Sequence, residues 1–146
     1  MKIEHNSNII IAKNKMTNAN TVLERLDYQK WIGFVENHSD IFTWKENTTE
    51  GIQIIKDIDN VPEDFKERVL ASLNKISCYA NFNKQKKTYD IYAGFNSKFN
   101  WITISFASTL KLEDLRVFVE MANHLDALLL KDGTDIIDER VIDSLG

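Results

Sequence analysis

A chain of 146 residues with 43% hydrophobic and 27% charged residues is sized and composed for one globular domain with a real core. Its net charge of −4 argues against a general nucleic-acid binder, and a lone cysteine, Cys78, excludes an intramolecular disulfide framework and suits a reducing, cytoplasmic setting. No apolar run approaches the roughly 20 residues needed to cross a bilayer, and Met1–Asn8 lacks the apolar core of a signal peptide, so a soluble protein with no membrane partner is expected.

The first element is a short, β-branched, buried strand at Asn8–Lys13. A helix is expected next, with Ala19, Val22, Leu23 and Leu26 on one face and Thr17, Asn18 or Asn20 as its N-cap. Gln29 and Lys30 break that phase, which places a kink near Asp27–Lys30 before a second helix at Trp31–Asn37. Ile41–Lys45 and Ile52–Ile58 read as strands joined by a polar loop. Pro62, followed by Glu63 and Asp64, opens a helix whose buried face would be Phe65, Val69, Leu73 and Ile76. A strand at Ser77–Phe82 leads to the basic turn Asn83–Lys87.

Thr88–Phe95 and Phe99–Ala107 form a meander. Placing Ile91 opposite Ile102 and Tyr89 opposite Ile104 gathers the aliphatics on one face. The other face then carries Thr88, Asp90, Tyr92, Trp101, Thr103 and Ser105, with Tyr92 and Trp101 side by side. This register needs a loop of even length, Asn96-Ser97 or Phe95–Lys98. Trp31 and Trp44 are assigned to the core.

Leu112 to Asp138 is the most legible stretch. Leu112, Leu115, Phe118, Val119 and Ala122 recur at helical spacing. Lys111 stands where a cap belongs, which leaves Ser108 or Thr109 to serve. Ala127–Lys131 and Thr134–Ile137 then flank Asp132-Gly133, the dipeptide of a two-residue type I′ turn. A short helix or tail closes the chain at Glu139–Leu145.

The order β-α-β-β-α-β-β-β-α-β-β is rich in hairpins. It points to an α+β single domain: a mostly antiparallel, twisted sheet with three main helices packed on one face. The first six elements are compatible with a ferredoxin-like unit. A degenerate strand–helix–hairpin repeat also suggests itself, residues 8–58 against 100–138. Phe34-Val35-Glu36 is echoed by Phe118-Val119-Glu120, and Ile54-Ile55-Lys56-Asp57 by Ile136-Ile137-Asp138. Coincidence among common residues explains the echo equally well.

Chemistry is sparse. There is no phosphate-binding loop, dinucleotide fingerprint, HExxH, paired CxxC or GxSxG, and the five glycines are scattered. No catalytic, metal-binding or cofactor-binding residue is assigned. His38 and His124 would each sit near a helix C-terminus, where an imidazole suits the negative end of the dipole. Cys78 reads as a small buried hydrophobe.

The acidic excess is one-sided. Residues 1–56 hold seven Lys/Arg and seven Asp/Glu, whereas residues 57–146 hold eleven against fifteen. Asp126, Asp132, Asp135, Asp138 and Glu139 collect around the last hairpin, where they would steer a basic partner. Tyr92 and Trp101 are anchor-type residues for an interface.

In being small, acidic, cytosolic, α+β and without catalytic motifs, the chain resembles the immunity proteins of bacterial polymorphic-toxin systems. The resemblance implies a tight complex with a cognate toxin, blocked at its active site by occlusion and charge complementarity. Tyr92, Trp101, Asp126, Asp132, Asp135, Asp138 and Glu139 would then make the contact. The alternative is a small enzyme or ligand-binding domain with a site assembled from His38, His124, Asp40 and Asp126. An uncovered strand edge or aromatic patch would also serve a homodimer.

Overall fold

The computed structural model describes residues 1–17, 21–108 and 110–146. Its strands are β1 (Ile9–Ala12), β2 (Thr43–Trp44), β3 (Ser77–Asn83), β4 (Thr88–Asn96), β5 (Trp101–Phe106), β6 (Leu128–Lys131) and β7 (Asp135–Ile136). Its α-helices are α1 (Tyr28–Asn37), α2 (Thr49–Lys56), α3 (Glu63–Ser72), α4 (Leu112–His124) and α5 (Glu139–Leu145). The strands form one sheet in the order β2-β3-β4-β5-β1-β6-β7, and every recorded pairing is antiparallel.

Strand β1 is the hinge of this topology. It lies between β5 and β6 and is antiparallel to both, so those two strands run parallel to each other and α4 bridges them. The molecule thus contains a split β-α-β unit, although not from the first six elements as the sequence order suggested.

One face of the sheet carries the main core. Ile9, Ile11, Ala93, Ile102, Ile104 and Leu129 meet Trp31, Phe34 and Val35 of α1, Leu115, Phe118 and Met121 of α4, and Ile142 of α5. The opposite face has a smaller cluster of Ile10, Ala12, Val22 and Leu130, with Met16, Trp101 and Leu128 against it. This clustering explains why the first expected helix does not form between residues 21 and 27. Val22 packs on one side of the sheet and Leu26 on the other. Two residues four apart on a helix share a face, so only an extended crossing segment can divide them this way. The carbonyl of Val22 accepts the Asn100 side-chain amide at 2.7 Å, which fixes the crossing. Ala19, Asn18 and Asn20 lie outside the described residues, as does Thr109.

Three further corrections have local causes. The expected strand at Ile52–Ile58 is mostly the helix α2. Thr48 caps it by accepting the Gly51 N–H at 3.0 Å, and Glu50 sits in its first turn, so capping overrides the β-branched run. The hairpin half of the repeat is lost with it. The expected buried face of α3 is largely exposed: no residue of the helix is buried, Phe65 is 53% exposed, and only the following Leu73 reaches the interior. At the last hairpin, Asp132 and Gly133 both have positive φ, 56° and 77°, and Thr134 N–H closes the turn on the Lys131 carbonyl. The ladder resumes only at Asp135 opposite Lys131, so three residues connect the strands rather than two.

Gly51 shows how tightly α2 begins. A Cβ there would lie 1.8 Å from the Lys45 carbonyl oxygen and 2.9 Å from the Glu46 Cα, both backbone atoms that cannot rotate away. Gly51→Ala is therefore expected to lower the unfolding free energy by about 1–3 kcal/mol, measured by urea denaturation.

Candidate protein-interaction surface

The β4–β5 ladder decides what the second face of the sheet presents. Its faces are those expected from the sequence, but its register is shifted by four: Ile91 pairs with Phe106, Ala93 with Ile104 and Asn96 with Trp101. The cause lies in the loop. The Asn96 side chain accepts the N–H groups of Lys98 and Phe99, each at 3.0 Å, and Asn100 takes a left-handed φ of 63°. The turn therefore occupies Ser97–Asn100, two residues later than expected, which keeps the loop even and the faces unchanged.

Tyr92 and Trp101 are consequently not side by side. Trp101 lies four residues further along the ladder, about 13 Å away at strand rise. It is half-buried and stacks on Phe99 with ring centroids 5.0 Å apart. Tyr92 lies along its own strand over Gly94, where a Cβ would meet the Tyr92 hydroxyl oxygen at 2.2 Å. That hydroxyl is 3.2 Å from the Ser77 Oγ on β3.

Tyr92 instead belongs to an aromatic group on the β3–β4 hairpin that sequence reasoning missed. Tyr79 lies opposite Tyr92 in the ladder, with ring centroids 5.5 Å apart, and 5.4 Å from Tyr89. Phe82 meets Tyr89 edge-on at 5.0 Å. Phe82 is 52% exposed, and Tyr79, Tyr89 and Tyr92 are half-buried. Partial burial raises the Tyr79 phenol above its usual range, with Tyr92 and Glu50 adding to the effect. A signal was present: four Tyr/Phe positions, Tyr79, Phe82, Tyr89 and Tyr92, flank the Asn83–Lys87 turn, but without the register their convergence was invisible.

Phe82 and Tyr89 form a ridge between two open grooves. One groove, about 570 Å³, is lined by Thr48, Glu50, Tyr79, Lys87 and Thr88 beside the ridge. The other, about 540 Å³, lies between the ridge and the start of α4, and carries Asp40, Glu113 and Asp114. Asp114 accepts the Asn81 side-chain amide at 3.2 Å. Partial burial still pushes its carboxyl above the usual aspartate range.

The acidic hairpin is less free than the sequence implied. Asp126 pairs with Lys30 at 3.2 Å, which lowers its carboxyl below the usual range, chiefly through that hydrogen bond. Asp138 caps α5 by accepting the Val141 N–H at 3.0 Å, and Glu139 binds Arg116 of α4, which also holds Asp143 at 2.7 Å. These three carboxylates serve the fold. Asp132 and Asp135 remain exposed, with local contacts to Lys131 and Thr134.

His38 and His124 both flank Phe34, at ring-centroid distances of 4.0 and 5.8 Å, and each ends a helix as expected. Asp126, held by Lys30, lies close enough to His124 to feel its charge, whereas Asp40 lines the groove beside Asp114, so the alternative site is only partly gathered. Among the described residues no group of three or more His, Cys, Asp or Glu side chains is placed to hold a metal ion. Cys78 is fully buried, and burial first, then Glu46, pushes its thiol far above its usual value, the opposite of an activated nucleophile.

No helix among the described residues is long and apolar enough to cross a membrane. No protein-family model, curated protein or solved structure matches the chain.

Proposed function

We propose that the chain is a non-catalytic protein-binding inhibitor of immunity type, which neutralises a cognate toxin in the cytoplasm by seating on it and occluding its active site. The observation that carries this reading is the half-exposed aromatic group Tyr79, Phe82, Tyr89 and Tyr92, set on a rigid hairpin and flanked by two grooves. Rigid aromatic residues give large contact area at small entropic cost and dominate the energetics of protein interfaces. The strands beneath them are anchored by the main core through Cys78, Ala80, Ile91 and Ala93, so the surface is organised before a partner arrives. In this reading Tyr92 contacts the partner as part of the hairpin group rather than beside Trp101, which supports the second apolar cluster, and Asp132 and Asp135 act as steering charges.

Co-expression with the toxin encoded beside it tests the proposal. Growth should be rescued and a stoichiometric complex should co-purify. Absence of both would remove the inhibitor reading.

A further inference from the structure

We infer that the groove between the Phe82/Tyr89 ridge and the start of α4 receives a basic side chain, arginine or lysine, from the partner protein. This rests on the reading of the chain as a protein-binding inhibitor and names the chemistry of what it binds.

The groove has two kinds of wall. Ile41, Val117, Phe82 and Tyr89 are apolar or aromatic, whereas Asp40, Glu113 and Asp114 are anionic, and no lysine or arginine lines it. An aliphatic stem ending in a cation matches this pairing: the stem lies on the apolar wall, and the head reaches the carboxylates and the ring faces. Among the described residues Asp114 accepts one side-chain hydrogen bond, from Asn81; partial burial, then Glu113, disfavour its charge, and the Asn81 bond, with Lys111 after it, offsets only part of that. A cation placed there relieves the desolvation that the free protein leaves uncompensated.

Other occupants fit less well. A partner strand added to β3 would meet β2 already paired at Cys78 and Tyr79, and beyond it a backbone turned aside by the left-handed φ of 57° at Asn81. An anionic nucleic acid or membrane surface would face three carboxylates. A second copy has a net charge of −4 and repels the first, although its own Lys84, Lys86 and Lys87 turn makes self-association an outcome to be watched.

The test is an amide NMR titration with two acetylated, amidated pentapeptides, Gly-Arg-Gly-Arg-Gly and Gly-Glu-Gly-Glu-Gly. The arginine peptide should shift Phe82, Tyr89, Asp114 and Val117, and the glutamate peptide should not. The combined variant Asp40→Asn, Glu113→Gln and Asp114→Asn should bind the arginine peptide about tenfold more weakly, and Asp40→Asn alone, in an exposed loop, roughly two- to threefold more weakly with an otherwise unchanged spectrum. Equal affinity in the variants, shifts centred on Asp132 and Asp135, or concentration-dependent dimerisation through this groove would overturn the inference. The co-expression assay separates it from the reading beneath it. Rescue by wild type and combined variant alike leaves the inhibitor standing and removes the cation groove. Failure of wild type to rescue, with the peptide still mapping to the groove, removes the inhibitor instead.

Discussion

Trp31→Ala is expected to lower the unfolding free energy by about 3–5 kcal/mol, read from the urea midpoint at constant m-value. Trp31 is fully buried, packs edge-on against Trp44 at 5.8 Å and lies 6.0 Å from Phe95. Its indole N–H also donates to the Lys75 carbonyl at 2.8 Å. That second role matters because Lys75 has a left-handed φ of 54° at the entrance to β3, and the same turn is held by the Tyr28 hydroxyl on the Asn74 carbonyl and by Glu46 accepting the Lys75 N–H. Trp31→Phe retains most of the volume but strands the carbonyl, and should lower stability by about 1–2 kcal/mol. If the two substitutions were equally mild, Trp31 would not be the joint between α1 and the hairpin strands.

Under the proposed function, Phe82→Ala and Tyr89→Ala are expected to weaken binding to the proposed toxin partner by about 2 kcal/mol each, close to thirtyfold, measured by calorimetry with that purified partner. Phe82 is 52% exposed, so its truncation should leave the unfolding free energy within about 0.5 kcal/mol of wild type. Loss of binding with stability retained is the signature of a contact residue. Tyr92→Phe should do less, because the ring stays over Gly94 and only the hydroxyl contact to Ser77 is removed.

Helix α4 was legible from its apolar stripe, which lies within Leu112–His124, although Lys111 at its cap makes no side-chain bond. The alternation in β4 and β5 identified both faces, but a period of two cannot distinguish registers that differ by an even number. Asn96 and Asn100 held that information as turn formers. Strand propensity misled at Ile52–Ile58, where Thr48 and Glu50 started a helix. Helical spacing misled at Val22 and Leu26, which pack on opposite sides of the sheet. The aromatic ridge depended on all of these at once. Phe82 and Tyr89 pair through the β3–β4 register, while Asp40, Glu113 and Asp114 reach the groove from the loop after α1 and from the start of α4. Local pattern says nothing about such convergence.

The acidic hairpin is mostly occupied within the fold. Its carboxylates looked like a contact surface because they were close in sequence. Asp126 in fact ties the end of α4 to α1, Glu139 ties α5 to α4 and Asp138 caps α5, leaving Asp132 and Asp135 as exposed charges that in the proposed complex would act on encounter rate more than on affinity.

The decisive measurement for the proposed inhibitor is amide hydrogen exchange of the chain alone and in complex with the proposed toxin partner. Slowed exchange at Tyr79–Tyr92 and Glu113–Val117, with Asp132–Asp143 unchanged, is the predicted footprint. Protection confined to Asp132–Asp143, with the hairpin ridge exchanging as in the free protein, would contradict it.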